Sequence, residues 1–263
     1  MRIKSKTIMA ALLAIAGLVL GTPPARAVLT AVDGDVLLGF RETVSPQNAF
    51  VVNLGQYTQF TNAAPGATLT FGSLSTFGVD LEATFGAGWN TRSDLYWGVF
   101  GNYSGNLVSI YASRARTVAG TPATAWGNPS QTVRNNTSGG IDTVKVGFVN
   151  TLLTTESGNT TNAGFQIGTG SGRYYAGVNT SPDFSTSSPF NGAGIEGAFS
   201  GTKVLDLFAL SSSPTVRLGT FTINETSGQV TFTAVPEPST YMLFAFAGAV
   251  FMAFIRRRRA LQN

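Results

Sequence analysis

Short apolar runs separated by turn-forming residues dominate the middle of this chain, and they constrain its fold more than any other feature. Between residues 28 and 234 the sequence is rich in Gly, Thr, Ser and Asn and sparse in charged residues. Apolar runs of about 4–8 residues that are bounded by such turn formers are typical of β-strands. We therefore predict strands at residues 36–40, 50–54, 68–71, 95–100, 107–111, 174–178 and 204–210.

The clearest element is a hairpin near the end of this region. Residues 218–223 and 229–233 flank a turn at residues 224–228. Side chains alternate between the two faces of a strand, so each strand has an apolar side, with Phe221 on the first and Phe232 on the second. Pairing the two strands gives one apolar face, with threonines on the opposite face.

Two stretches have the spacing of amphipathic helices. Their apolar residues recur at i, i+3, i+7 and i+11, and they are Leu74, Phe77, Leu81 and Phe85 in the first stretch and Ile141, Val144, Phe148 and Leu152 in the second. Residues 117–140 and 181–194 are rich in Pro, Gly, Ser, Thr and Asn and are predicted to be surface loops. Together these patterns predict a mainly β fold, a β-sandwich or jelly-roll-like domain with one or two short helices.

A secretory signal peptide is predicted at residues 1–27. Three basic residues precede an apolar run at residues 8–20. Ala25 and Ala27 fit the small-residue positions of an A-x-A cleavage site. The mature chain is therefore expected to begin at Val28.

The C-terminal tail carries three signals in a fixed order. It contains Pro236, Glu237 and Pro238, then an uncharged apolar run at residues 241–255, then the arginines Arg256, Arg257, Arg258 and Arg259. As a helix the apolar run would span roughly 22 Å, which is short for a bilayer core of ~30 Å. The arginines resist crossing, so they are expected to stay cytoplasmic and leave the body outside. The prolines resist helix formation and hold Glu237 in an extended, accessible segment.

This order of Pro-Glu-Pro, short apolar helix and basic cluster resembles the PEP-CTERM sorting signal of exopolysaccharide-producing Gram-negative bacteria. The resemblance implies that Pro236, Glu237 and Pro238 form the recognition motif for exosortase, a membrane enzyme that processes such tails. Together with the predicted signal peptide and β-rich body, it gives a chain of four parts. They are the signal peptide at 1–27, an extracytoplasmic β-rich domain at 28–234, the sorting signal at 235–259 with a transmembrane helix at 239–255, and a cytoplasmic end at 260–263.

Charge and residue inventory exclude several classes of function. The whole chain has a formal net charge of +4, but residues 28–235 contain nine basic and twelve acidic residues, a net charge of −3. The basic clusters at the two ends are therefore topology signals, and no basic patch indicates nucleic-acid binding. The chain contains no Cys and no His. Catalysis by Ser-His-Asp or Cys-His groups, metal sites built on those residues and disulfides are all excluded.

Two adjacent pairs of aromatic residues are candidates for a sugar-binding surface. Neighbouring residues on a strand point to opposite faces, so one member of each pair is expected in the core and the other at the surface. Exposed aromatic rings can stack on sugar rings, which suits a matrix polysaccharide. The candidate sugar-stacking residues are Tyr96, Trp97, Tyr174 and Tyr175, whereas Trp89 and Trp126 are expected to fill the core or pin loops.

The remaining motifs carry weaker predictions. Asp33 and Asp35 flank one glycine as in a calcium loop, but the later ligands are missing, so a solvated turn is expected and no metal. Residues 192–197 match G-x-G-x-x-G without a strand before or a helix after, which predicts a glycine-rich loop. Scattered carboxylates could meet as a glycosidase pair. Thr-x-Thr pairs at 68/70, 220/222 and 231/233 resemble the arrays that match an ice lattice, although the β propensity of threonine explains them.

We therefore predict an exported cell-surface or extracellular-matrix protein of structural or adhesive type that is not an enzyme and needs no cofactor. It is expected in the cell envelope or outside the cell, anchored transiently by its C-terminal helix, with an exosortase-like enzyme and exopolysaccharide as partners and no nucleic acid. The alternative is a carbohydrate-binding module of the exopolysaccharide matrix. A carboxylate-dependent glycan hydrolase and an ice-binding protein are further alternatives.

Overall fold

The computed structural model describes residues 31–44, 48–72, 77–105, 107–149, 164–168, 194–201, 203–211 and 214–235. Several predicted features lie outside these residues. They are the signal peptide with its cleavage site, the strand at 174–178, most of the loop at 181–194, and the tail beyond residue 235 with its predicted transmembrane helix.

The described part of the chain is mainly β, as predicted. Its strands are β1 (Asp35–Glu42), β2 (Asn48–Gln56), β3 (Thr68–Phe71), β4 (Leu95–Tyr103), β5 (Ser109–Ala115), β6 (Gly164–Gly168), β7 (Glu196–Ala198), β8 (Val204–Leu210), β9 (Val216–Ile223) and β10 (Val230–Ala234). Its helices are α1 (Thr58–Thr61), α2 (Val79–Phe85) and α3 (Gln131–Val149), with a 3₁₀ turn at Trp89–Thr91. The predicted hairpin is β9–β10, in which Phe221 lies opposite Phe232.

The strands form one antiparallel sheet, and this corrects the prediction of a sandwich. Among the described residues the order is β3-β10-β9-β8-β5-β4-β1-β2-β6, and β7 pairs separately with β4. A sandwich needs two sheets that face each other, whereas here one sheet curls around its own core. The pattern of apolar runs is the same in both architectures, because it reports which strands exist and not how they pair.

The inner core lies on one face of the curled sheet. It contains Phe40 and Phe50 from one end of the strand order and Phe71 and Phe232 from the other, within a single cluster. Phe60 of α1 packs against β10, near the β3 end of the strand order, since its ring lies 5.1 Å from that of Phe232 in an edge-on arrangement. Aromatic pairs of this kind stabilise a core beyond the area they bury, so these contacts close the curl.

The apolar stripe of the predicted helix packs into the inner core, although α2 itself begins only at Val79. Phe77, Leu81 and Phe85 are buried in that cluster. Leu74, the first residue of the predicted apolar stripe, lies outside the described residues.

Helix α3 covers the opposite face of the sheet, over the outer core. Ile141 and Val144 are fully buried there with Phe100 and other apolar side chains of the sheet. The helix begins at Gln131, so the loop predicted at 117–140 is wrong over its last ten residues. Ser130 caps this helix: its Oγ accepts a hydrogen bond from the Val133 amide at 3.3 Å. The first half of α3 buries the polar residues Arg134, Thr137 and Ser138, and hydrophobic periodicity does not detect such a face.

Candidate functional site

The aromatic pair on β4 divides between core and surface, as predicted. Trp97 is fully buried and stacks on Phe40 at 6.3 Å between ring centroids. It therefore has no ring face to offer a sugar, and its candidacy as a stacking residue is corrected. Tyr96 is half-buried, and the guanidinium of Arg41 lies over its ring at 5.5 Å while forming a forked ion pair with Glu196.

The other aromatic candidates differ in what the structure describes. Tyr174 and Tyr175 lie outside the described residues. Trp89 and Trp126 are buried, as predicted, in the inner and outer cores respectively. The guanidinium of Arg114 covers the Trp126 ring at 4.4 Å, so this tryptophan pins the loop that leads to α3.

The sequence predicts a solvated turn at Asp33 and Asp35, but both carboxylates accept hydrogen bonds from other parts of the protein. The buried carboxylate of Asp35 accepts hydrogen bonds from the Val32 amide and the Asn53 side chain, both at 2.8 Å. The exposed carboxylate of Asp33 accepts one from the Ser104 amide at 2.9 Å. The turn thus ties the end of β1 to β2 and β4. Within the described ranges no group of three or more acidic residues could hold a metal ion.

Other carboxylates near the sheet are also occupied by structural partners. Glu42 is 1% exposed, pairs with Arg92 at 2.8 Å and accepts a hydrogen bond from the Asn48 amide. The hydrogen bond from Arg92 also lowers the pKa of Asp94 below its ordinary value. A glycosidase acid needs a raised pKa, which is the opposite effect.

A network of ion pairs and hydrogen bonds is built around Asp206 on β8. Its side chain is fully buried. Both oxygens accept hydrogen bonds from Arg116, one accepts from Arg217 and Thr220 as well, and the other accepts from the Ala123 amide at 2.6 Å. Burial alone would favour the protonated acid, but the hydrogen bonds from Arg116, Ala123 and Thr220 hold the pKa of Asp206 below its ordinary value. No sequence motif indicated this centre, because its members come from separate parts of the chain.

The three Thr-x-Thr pairs, irregularly spaced in sequence, lie on three adjacent strands. Thr231 is opposite Thr70 on one side and Thr222 on the other, and Thr233 lies likewise between Thr68 and Thr220. These six residues form what we call the threonine face. Strand geometry spaces them about 4.8 Å apart between strands and about 6.7 Å apart along a strand. Thr68, Thr70, Thr222 and Thr233 are exposed. Thr220 and Thr231 are half-buried, and the Thr220 hydroxyl also donates to Asp206.

The sorting tail leaves directly from the last strand of the sheet. The Val235 amide donates to the Leu218 carbonyl at 3.1 Å, and the Gly66 amide donates to the Ala234 carbonyl at 3.0 Å. These bonds hold the chain in the sheet up to the residue before Pro236. The family model of the PEP-CTERM protein-sorting motif matches residues 234–259.

The chain carries a PEP-CTERM sorting motif. The motif marks a protein that is sorted for export in association with a membrane, and in general it is processed by exosortase, a membrane enzyme. No curated protein and no solved structure matches the chain. Among the residues that the structure describes, no helix is long and apolar enough to cross a membrane.

Proposed function

We propose that this is a cell-surface or extracellular-matrix protein of structural or adhesive, non-enzymatic type, delivered by its PEP-CTERM tail. The observation that carries the proposal is the sorting motif joined without a linker to a body that is held together strand by strand. The engagement of Glu42, Asp35 and Asp206 in structural contacts supports a body whose charged groups stabilise the fold. Exopolysaccharide is the matrix component that such a protein would contact.

The delivery step is tested by the fate of the body in cells with and without an exosortase. Glu237→Ala removes the acidic group of the sorting motif and leaves the apolar run and the arginines intact. We expect this variant to stay in the membrane fraction at full mass, while the wild type is released in a shortened form. Glu225→Ala, an exposed glutamate in the β9–β10 turn, is the matched control and should behave like the wild type. If all forms keep Asn263 in both strains, the proposal fails.

The non-enzymatic assignment has its own test. The purified chain is incubated with panels of glycoside, ester and peptide substrates, and we expect no turnover. Turnover that disappears when one carboxylate is replaced would overturn the assignment.

The threonine face supports ice binding as a second candidate function. A regular two-dimensional array of hydroxyl and methyl groups on the surface of a sheet can order the water that contacts it. We expect Thr231→Lys, at the centre of the face, to abolish any inhibition of ice recrystallisation, whereas Thr117→Lys on an exposed loop preserves it. A wild-type chain without such inhibition would eliminate this candidate.

A further inference from the structure

A groove lies at the end of β10, where the described chain passes into the sorting tail. Its volume is about 230 Å³. One wall is formed by the first residues of β9, including Val216 and Arg217, and the other by the segment 60–65, which contributes Pro65. Val235, the residue before the Pro-Glu-Pro motif, also lines the groove. The tail therefore starts inside a groove of the body.

The groove follows the line along which β10 would continue. β10 pairs with β9 up to Ala234, which lies opposite Gly219. The Val235 amide then donates to the Leu218 carbonyl at 3.1 Å. β9 itself begins two residues earlier, at Val216. Continued in the same register, positions 236 and 237 of the chain lie opposite positions 217 and 216 of β9.

The Pro-Glu-Pro sequence has its one N–H at the position where this continuation needs it. Along an antiparallel strand, residues that exchange hydrogen bonds with a given neighbour alternate with residues that do not. Val235 donates toward β9, so the next amide that can do so is that of Glu237. Pro236 and Pro238 fall on the alternate positions, where a missing N–H removes no bond with β9. The motif is therefore compatible with an extension of β10.

An extended β10 also places Glu237 on the face that Arg217 reaches. Side chains alternate between the two faces of a strand, so Glu237 would lie on the same face as Thr233. Thr233 is opposite Thr220 on β9. The Nη2 of Arg217 donates to the Thr220 hydroxyl at 2.8 Å, so this guanidinium lies on the face that would carry the Glu237 carboxylate.

Arg217 keeps the capacity to bind a second carboxylate. Two guanidinium groups, those of Arg116 and Arg217, share the one carboxylate of Asp206, which leaves this network with a net charge of +1. The hydrogen bonds of Arg217 to Asp206 and Thr220 use Nε and Nη2, so Nη1 can donate to a further acceptor. The side chain of Arg217 is 24% exposed and lines the groove, so an acidic group in the groove has access to it.

We propose that residues 236–238 dock in this groove as an extension of β10, with Glu237 paired to Arg217, and that the body thereby restrains its own sorting motif. The occupant is a segment of this chain because it begins at the groove. The Cα atom of Glu237 lies within about 7 Å of that of Val235, and such a short tether gives an effective concentration on the order of 1 mM or more. The processing enzyme must then lift the motif out of the groove. That last step rests on the proposed sorting function, whereas the docking rests on the groove and the register.

Disulfide trapping tests the docked register, because the chain contains no Cys of its own. Val216→Cys combined with Glu237→Cys places two thiols on residues that are opposite each other in the docked strand. The Cα atoms of such residues are ~5.5 Å apart, a distance that a disulfide spans. We expect oxidation of the full chain in detergent micelles to join this pair. The matched control is Thr222→Cys with Glu237→Cys, since Thr222 is also exposed on β9 but lies roughly 20 Å further along the strand. Equal cross-linking of the two pairs, or none in either, overturns the docking.

Hydrogen exchange at the Glu237 amide tests the pairing with Arg217. The full chain is labelled with ¹⁵N-glutamate, and Glu237→Gln assigns the resonance. Val216→Glu sets a like charge opposite Glu237 and should speed the exchange by roughly 2- to 5-fold, whereas Val216→Lys should not speed it. Thr222→Glu is the control and should exchange like the wild type. A wild-type rate equal to that of a free peptide of residues 234–240, or equal rates in all variants, overturns the proposal.

Processing in cells that contain an exosortase separates this proposal from the sorting function. We expect Val216→Glu to be shortened faster than the wild type and Thr222→Glu at the wild-type rate. Equal rates in the three chains would overturn the restraint. A trapped and protected motif in a chain that is never shortened would leave the docking standing and remove the sorting function, and normal shortening of a chain with an unprotected motif would do the reverse.

Discussion

Replacing Asp206 by Asn is expected to destabilise the body more than any other single-charge substitution among the described carboxylates. The change removes one negative charge and keeps the size of the side chain. Five hydrogen bonds from Arg116, Arg217, Thr220 and Ala123 converge on this carboxylate at 2.6–3.0 Å. An amide in the same place turns N–H groups toward some of these donors, and the two guanidinium groups lose their counter-charge.

The size of the expected loss in the free energy of unfolding follows from the burial of this ion-pair network. Asp206 is fully buried, and the side chains of Arg116 and Arg217 are 13% and 24% exposed. Removing one partner of a buried ion pair costs about 3–5 kcal/mol. The free energy of unfolding of a typical domain is about 5–15 kcal/mol, so a large part of the stability is lost. The melting temperature should fall by roughly 6–20 °C for a body of this size.

Urea unfolding of the full chain in detergent measures this effect. We expect a lower midpoint with an unchanged slope, because the native surface stays the same. The matched control is Glu225→Gln, since Glu225 is 53% exposed and its pair should contribute about 0–1 kcal/mol. A loss at Asp206→Asn as small as that of the control would refute the view that Asp206 is a stabilising centre.

The same reasoning predicts a pH dependence. The pKa of Asp206 is lower in the folded protein than its ordinary value of 3.8. The stabilisation is therefore fully present above pH ~4 and is lost as pH falls through the folded pKa. Wild type and Asp206→Asn should thus converge in stability below that pH. Curves that remain parallel down to the lowest pH would contradict this assignment.

Two further substitutions have clear expectations. Gly219→Ala places a Cβ 2.3 Å from the Phe232 ring and should lower the free energy of unfolding by about 1–3 kcal/mol through overpacking. The control is Gly127→Ala, whose added Cβ meets nothing within 4 Å and should leave the stability unchanged. Equal urea midpoints for the two variants would refute the packing argument. Lys145→Met should raise the free energy of unfolding by about 1 kcal/mol at neutral pH, because burial lowers the pKa of Lys145 below its ordinary value of 10.5. The free energy of unfolding of the wild type should then rise with pH between the folded pKa of Lys145 and 10.5, and Lys145→Met should lack this rise. If Lys145→Met is less stable than the wild type, the weak contact with Asp142 at 4.0 Å compensates the buried charge and the reasoning is refuted.

Sequence reasoning located most of the strands because a strand is a local pattern. The predicted strand at 204–210 coincides with β8, and the hairpin pairs as expected. The strand at 107–111 is real but begins at Ser109 and runs to Ala115. The sequence analysis does not predict β6 and β7, because the alternation in β6 is limited to Phe165 and Ile167 between glycines and β7 has only three residues, without a large apolar side chain. Part of the predicted glycine-rich loop at 192–197 is therefore β7, which pairs with Trp97 and its neighbours.

What the sequence determined by itself is the β character of the body, its terminal hairpin and the identity of the tail. Each of these depends on residues that are close in the chain. Only the tertiary structure decided that one sheet curls on itself, that Asp206 gathers four donors from distant segments, and that the threonine pairs align. Such sites depend on strand order and register, and alternation along a strand is the same for every order in which strands can pair.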